Sequence, residues 1–308
     1  MATTKEIKRR RNSIESTRQI TRAMKLVATV KLQHTKDKAQ SSVPYFQSMY
    51  KTVTNILAKS KNINHKYLNG NKTGKKALLI FSSSRGLCGG YNANIIKKLM
   101  DKNSPYKFTP EDTYIYTAGS KARDILKAKG FTIARDYSDD MEEIGYNDAL
   151  KISKELFSDF GAGKINEIYI AYTFFKNTVV HIPRLMKLLP IDLEDIKIQD
   201  EETELLNQKI NFNLYQSEYT EKENLIMNYE PNDETILDLV VPKYLSAIIY
   251  GAQTASIASE NGARMTAMDS ATNNADELIS ELSIQYNRAR QSAITSEITE
   301  IIAGANAV

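Results

Sequence analysis

The stretch SSSRGLCGGYN, residues 82–92, brings together residue types that often do chemistry in a loop: three serines, three glycines and the only cysteine of the chain. Such a loop suits a phosphate cradle, a nucleophile or a tight bend. Its glycines do not follow the G-x-G-x-x-G spacing of dinucleotide-binding folds, and Tyr91 and Asn92 stand where a P-loop needs Lys and Ser/Thr. We therefore expect a bend rather than a phosphate site.

Nucleophilic and metal chemistry also lack the partners that they need. Cys88 would require a base, but His34, His65 and His181 fall in a basic helix, a loop and a strand with no catalytic motif around them. No Cys or His spacing matches a zinc site, and the acidic stretch 192–204 lacks the glycine of a calcium loop. The sequence predicts a buried cysteine, no catalytic residue, no metal and no cofactor.

Composition limits the compartment and the class of partner. One cysteine cannot form an internal disulfide, and no signal-peptide pattern opens the chain, so we expect a reducing, cytoplasmic compartment. No apolar run approaches the roughly 18 to 20 residues of a membrane span, so we expect no spanning helix. Residues 1–38 contain eleven Lys or Arg against three Asp or Glu, which indicates an acidic partner: nucleic acid, lipid or protein.

The loop is positioned by a strand before it and a helix after it. KKALLIFSSS and EDTYIYTAGS have strand composition, and each precedes a helical run, YNANIIKKLM and KARDILKAKG. NEIYIAYTFFKN and TVVHIPRLMKLLP predict a later strand pair. Alternation of strands and helices predicts a Rossmann-like α/β domain over 75–225, with an acidic, irregular excursion at 191–223.

The two ends of the chain predict long helices. No proline precedes Pro44 or follows Pro242, so nothing interrupts a helix over the first 43 residues or the last 66. We expect a coiled-coil helix within 1–60 and a long helix within 232–308. Apolar and small residues recur there at alternating spacings of three and four, which is the pattern of an antiparallel coiled-coil seam. The C-terminal positions are Met265, Met268, Thr272, Ala275, Ile279, Leu282, Tyr286, Ala289 and Ala293; the N-terminal ones are Ile7, Ile14, Thr17, Thr21, Met24 and Ala28.

The predicted C-terminal helix is too long for the rest of the chain to cover. The 66 residues after Pro242 would form a helix of about 100 Å, whereas a compact globule of this size is roughly 50 Å across. The projecting end carries Ile294, Ile298, Ile301, Ile302 and Val308. An apolar helix end of this kind predicts that a surface of another molecule surrounds it.

Three stretches together resemble the γ subunit of the F-type, proton-translocating ATP synthase. They are IKRRRNSIESTRQITRAMKLVATVKL, SSRGLCGGYNANI and RMTAMDSATNNADELISELSIQYNRARQSAITSEITEIIAGA, in the order and positions of that family. The resemblance implies a central rotor stalk, one copy per complex, that contacts the α and β subunits, the ε subunit and the c-ring. It implies a peripheral protein at the cytoplasmic face of a bacterial plasma membrane, with no catalytic residue of its own.

The same resemblance also implies roles for individual residues of this chain. Arg290 and Gln291 match a pair that meets a loop of β, and Arg85, with Cys88 packed beside it, matches a contact with an acidic loop of β. Met24 and Arg264 match helix positions linked to coupling efficiency. Tyr229 and Glu230 match the contact with the c-ring. Two other hypotheses stay open on the residues alone: a nucleotide-dependent α/β enzyme and a basic coiled-coil protein that binds nucleic acid.

Overall fold

A computed structural model describes residues 3–59, 65–71, 73–138, 145–191 and 233–305. The helices are α1 (Thr4–Lys59), α2 (Lys66–Asn69), α3 (Tyr91–Leu99), α4 (Ser120–Ala128), α5 (Tyr146–Gly161) and α6 (Asp233–Ala305). The strands are β1 (Lys75–Phe81), β2 (Thr113–Ala118), β3 (Thr132–Asp136), β4 (Ile165–Phe175) and β5 (His181–Leu189). The long terminal helices and the central α/β region confirm the predicted fold class.

The five strands form one sheet in the order β3-β2-β1-β4-β5. The first four are parallel, and β5 pairs antiparallel with β4. β1 is buried on both faces because Leu79 and Phe81 enter one apolar cluster while Leu78 and Ile80 enter the other. Helices α5 and α6 contribute to the first cluster, and α3 and α4 to the second. This two-faced burial explains the continuous apolar run of β1.

Both terminal helices pass through a proline. α1 has 56 residues and continues beyond Pro44, and α6 has 73 residues and begins ahead of Pro242. An interior proline costs a helix about 3 kcal/mol because one backbone hydrogen bond is lost. Leu237, Val241 and Leu245 are buried on either side of Pro242, and their burial offsets that cost.

The chain divides into two compact units, and the division does not follow the helix ends. One unit comprises Met1–Val30 with Arg264–Val308, and the other is Lys31–Ala263. The first unit contains the beginning of α1 and the end of α6. The second contains the sheet, the short helices and the remaining parts of α1 and α6.

Within the first unit, α1 and α6 pair antiparallel. Arg18 bonds Asp276 at 2.8 Å, and Lys25 bonds Asp269 at 2.5 Å, so the partner number falls as the α1 number rises. Between these ion pairs, the hydroxyls of Thr21 and Thr272 lie 2.8 Å apart. The buried seam residues are Ile7, Thr21, Ala28, Met268, Ala275 and Leu282. Thr17 and Ala293, predicted in the seam, are exposed, which corrects that part of the pattern.

One expectation about membranes needs correction. Within Thr235–Ala305, an 18-residue window with at most two charged residues is apolar enough to cross a membrane. Half of that window is buried in the fold, as in the core helix of a soluble protein. The sequence pattern hid this stretch because Ser, Thr and Gly are interspersed among its apolar residues.

Candidate functional site

The glycine-rich loop joins the carboxyl end of β1 to the start of α3. β1 lies between β2 and β4, so the chain leaves the sheet at the point where the strand order reverses. Open α/β sheets most often bind ligands at such a point. The bonding within the loop decides whether its polar groups are available for a ligand.

The polar groups of the loop are bonded to one another. Ser83 N–H donates to Asn92 Oδ1 at 3.0 Å, and Ser83 Oγ donates to the carbonyl of Arg85 at 2.6 Å. Asn92 Nδ2 donates to Ser83 Oγ at 2.6 Å and to Cys88 Sγ at 3.2 Å. Cys88 is buried within this arrangement. The loop therefore forms a self-bonded bend in which the thiol is a packing group.

The neighbouring connections close the loop from the β2 and β3 side. Ser120 Oγ donates to the carbonyl of Ser84 at 3.1 Å, and Ser84 Oγ donates to the carbonyl of Ser138 at 3.3 Å. Burial disfavours ionisation of Asp136, but hydrogen bonds from Ser138 and Arg123 outweigh it and hold the pKa of that carboxyl below its usual value. The Asp136 carboxylate therefore joins Arg123 of α4 to Ser138 at the β3 edge of the sheet.

The outward part of the loop is Arg85, Gly86 and Leu87, all exposed. Leu87 is 63% exposed and has φ 62°, the only positive φ of a residue other than glycine in the part of the chain that the structure describes. A left-handed backbone costs a leucine roughly 1–2 kcal/mol. This side chain gains little from packing within its own chain, so the hydrogen bonds of the loop, such as that from Ser83 Oγ to the carbonyl of Arg85, must hold the residue in this conformation.

We expect Leu87→Gly to have a free energy of unfolding about 1 kcal/mol higher than that of Leu87→Ala. Both substitutions remove the exposed side chain, but only glycine adopts the left-handed conformation without strain. Urea unfolding of the two variants measures the difference. Equal midpoints and slopes would show that the loop does not hold residue 87 at a positive φ.

The structure places the predicted contact residues on separate elements. Arg290 and Gln291 are exposed on α6, and Met24 and Arg264 are half-buried on α1 and α6. Tyr229 and Glu230 lie outside the described residues, as does nearly all of the acidic stretch 191–223. Arg85 is exposed, whereas Cys88 is only 2% exposed, as expected for a residue that packs beside Arg85 within the loop.

The paired ends also carry an apolar surface that the sequence analysis missed. Ile20, Leu26, Val27 and Val30 are more than half exposed and span about 120° of the α1 surface, at 100° per residue. The predicted seam used only the buried stripe of α1, so these residues were left unexplained. In the paired part of α6, the exposed large apolar residues are Leu278, Ile284, Ile294, Ile298, Ile301 and Ile302.

Two histidines of the chain have side-chain partners within the fold. His65 Nε2 lies 3.3 Å from Asp238 Oδ1, and His181 contacts the ring of Phe175, so each is engaged at a structural position. Among the described residues, no group of three or more His, Cys, Asp or Glu is arranged to hold a metal ion. The arrangement supports binding through exposed surfaces.

The chain is similar to known proteins along its whole length. A family model described as ATP synthase matches residues 3–308. The ATP synthase gamma chain of Lachnoclostridium phytofermentans is 51% identical over 308 residues, which cover 100% of both chains. The sodium ion specific ATP synthase gamma chain of Acetobacterium woodii is 38% identical over 307 residues and 98% of each chain.

A solved structure has the same fold at low sequence identity. It is a chain of the rotor of the Euglena gracilis mitochondrial ATP synthase, with a TM-score of 0.62 and 17% identity over 94% of this chain and 98% of that one. The family match and the close relatives agree along the entire sequence, in both the terminal helices and the α/β region. The chain therefore belongs to the ATP synthase γ-chain family, the central stalk of the F-type enzyme.

Proposed function

We propose that this chain acts as the non-catalytic rotor shaft of an F-type ATP synthase, present in one copy per complex. Its partners would be the α and β subunits, the ε subunit and the c-ring. It would lie peripherally at the cytoplasmic face of a bacterial plasma membrane, held there through the c-ring. Rotation of the ring would turn the shaft, and the shaft would drive the β sites through their conformations.

The observation that carries this proposal is the exposed apolar surface of the paired ends. Val27 and Val30 on α1, and Ile298 and Ile301 on α6, lie in solvent in the single chain. A helix pair that buries one seam and leaves further apolar residues exposed needs a partner surface around it. A ring of subunits surrounding the paired ends supplies that surface, and smooth apolar contacts permit rotation because they impose no fixed hydrogen-bond geometry.

Reconstitution tests the proposal directly. The purified chain is expected to hydrolyse no ATP, whereas its addition to α and β subunits should give a complex with rotary ATPase activity. A probe attached to the chain should turn as ATP is hydrolysed. ATP turnover by the isolated chain, or an active α–β complex with no change when the chain is added, would contradict the proposed role.

Substitution of Arg290 tests whether torque is shared among many contacts between the shaft and its partner subunits. Arg290→Ala is expected to lower coupling or turnover several-fold without loss of assembly, because one exposed ion pair contributes roughly 0–1 kcal/mol. Arg288→Ala is the matched control, since Arg288 is also exposed on α6 but lies about 200° around the helix. ATPase activity and subunit stoichiometry measure the two effects separately. Complete loss of the complex in Arg290→Ala would contradict the idea that many contacts share the torque.

A further inference from the structure

The edge of β4 that faces β1 is longer than β1 itself. β1 pairs with β4 as far as Ala171, which lies opposite Ile80. Thr173, two residues further along, lies opposite Pro183 of β5 on its other side. Its backbone N–H and C=O therefore need partners from outside the sheet, because a buried backbone group without a hydrogen bond is costly.

Two serines of α6 supply those partners. Thr173 N–H donates to Ser256 Oγ at 3.2 Å, and Ser259 Oγ donates to the carbonyl of Thr173 at 3.0 Å. Both serines are almost completely buried. They stand one helical turn apart on α6, so the helix replaces a neighbouring strand at this residue.

One turn further, α6 lies very close to the β4–β5 hairpin. A Cβ atom at Gly262 would lie 2.8 Å from His181 Nε2 and 3.0 Å from the ring of Phe175. No ordinary side chain fits at that position without displacing both rings. Ser256, Ser259 and Gly262 thus form a single line of contact on α6, which we name the β4 joint.

Other serines of α6 bond differently. Ser246 Oγ donates to the carbonyl of Pro242, and Ser283 Oγ donates to the carbonyl of Ile279, each within the helix itself. Such bonds hold nothing outside α6. The hydroxyls of the β4 joint instead cross to the sheet, and a directional bond fixes the azimuth of a helix in a way that apolar contact does not.

We propose that Ser256 and Ser259 are positioning residues that prevent α6 from turning about its own axis against the sheet. This inference rests on the proposed rotor function. In a rotor, torque applied to the α/β region can reach the paired ends only through α1 and α6, the two helices that continue into them. The β4 joint lies where α6 is still seated on the sheet, immediately before Arg264, where the paired unit begins.

The test compares Ser256→Ala/Ser259→Ala with Ser246→Ala, a buried serine of the same helix that makes no bond to the sheet. Each chain is assembled with its partner subunits in lipid vesicles. Hydrogen exchange at the Thr173 amide should be about fivefold faster in the double variant, the factor given by loss of one net hydrogen bond. The Ser246→Ala chain should exchange like the unsubstituted one.

The functional measurement separates loaded from unloaded rotation. With the ion gradient collapsed, ATP hydrolysis by the double variant should stay within about twofold of the unsubstituted complex, because an unloaded joint bears little torque. The steepest ion gradient that the double variant builds should be lower, while Ser246→Ala keeps the full gradient. If the double variant does not assemble, Ser259→Ala alone is measured; it keeps the bond to Thr173 N–H, so only its gradient is compared and should again be lower.

Two results would overturn the inference. One is a freed Thr173 amide together with an undiminished gradient. The other is an equal fall in unloaded hydrolysis and in the gradient, which a general loss of structure would produce. Failure of the unsubstituted and Ser246→Ala chains to support any gradient would instead refute the rotor function itself.

Discussion

Gly119→Ala is expected to unfold the α/β region or to leave it close to its unfolding limit. Gly119 has φ +121°, and an added Cβ would lie 2.0 Å from the carbonyl oxygen and 2.6 Å from Oγ of Ser82. No atom pair of this kind approaches so closely, and the contact is with backbone. The chain can relieve it only by moving the end of β1 away from the start of α4.

That movement would break the bonds that join the two segments. Ser82 N–H donates to the carbonyl of Ala118 at 2.8 Å, Ser82 Oγ donates to the carbonyl of Gly119 at 3.0 Å, and Ala122 N–H donates to Ser82 Oγ at 3.0 Å. Three bonds of about 1 kcal/mol each, added to backbone strain of roughly 1–3 kcal/mol, give a loss of several kcal/mol. Domains are typically stable by only about 5–15 kcal/mol.

Gly130→Ala is the matched control, because Gly130 also has a positive φ, +87°, but no atom lies within 4 Å of an added Cβ. Its cost should be limited to the backbone term of roughly 1–2 kcal/mol. Urea unfolding followed by circular dichroism compares the two variants. Unfolding free energies within about 1 kcal/mol of each other would show that β1 and α4 are not packed as described.

Ala28→Asp and Val27→Asp place the same carboxylate on adjacent residues of α1 with opposite expected results. Ala28 is 1% exposed in the seam, whereas Val27 is 58% exposed. A buried, unpaired carboxylate costs several kcal/mol or takes up a proton, so Ala28→Asp should separate the paired ends of the isolated chain. Limited proteolysis and thermal unfolding of the terminal helices measure this separation.

Val27→Asp should leave the isolated chain almost unchanged, because a solvated carboxylate on a helix costs only a few tenths of a kcal/mol. It should nevertheless weaken assembly with the α and β subunits, since the charge would enter an apolar contact. Assembly titrations with both variants compare the two surfaces. Normal assembly of Val27→Asp would remove the exposed stripe as evidence for an enclosing partner.

The main elements of the fold could be predicted from the sequence because their buried residues follow regular patterns. β1 and β2 are buried along most of their length, and the α6 seam repeats regularly, so composition and period identify them. β3 was missed because this edge strand has no fully buried residue and ends in charged Arg135 and Asp136. α5 could have been found, since Ala149, Ile152, Leu156 and Phe160 recur at helical spacing and are buried.

The hydrogen bonds and backbone conformation of the glycine-rich loop could not be predicted from the sequence, for a different reason. The bonds of Ser84 and Ser82 go to residues more than thirty positions away, around Ser138, Gly119 and Ala122, and only the folded sheet brings these groups together. The positive φ of Leu87 likewise has no local signal, because sequence rules place glycine at such positions. The family resemblance predicted contact residues, but it did not indicate the strain at Leu87 or the β4 joint.

The contact between Thr21 and Thr272 bears on whether α1 and α6 can slide along each other. The hydroxyls of Thr21 and Thr272 meet in only one alignment of the two helices, and the ion pairs on either side agree with that alignment. Each hydroxyl also has an acceptor within its own helix, the carbonyl of Arg18 for Thr21 and the carbonyl of Met268 for Thr272, so neither would lack a partner if the helices slid. Sliding would instead break the contact between the hydroxyls and both ion pairs at the same time, so three small contributions together resist axial displacement of one helix along the other.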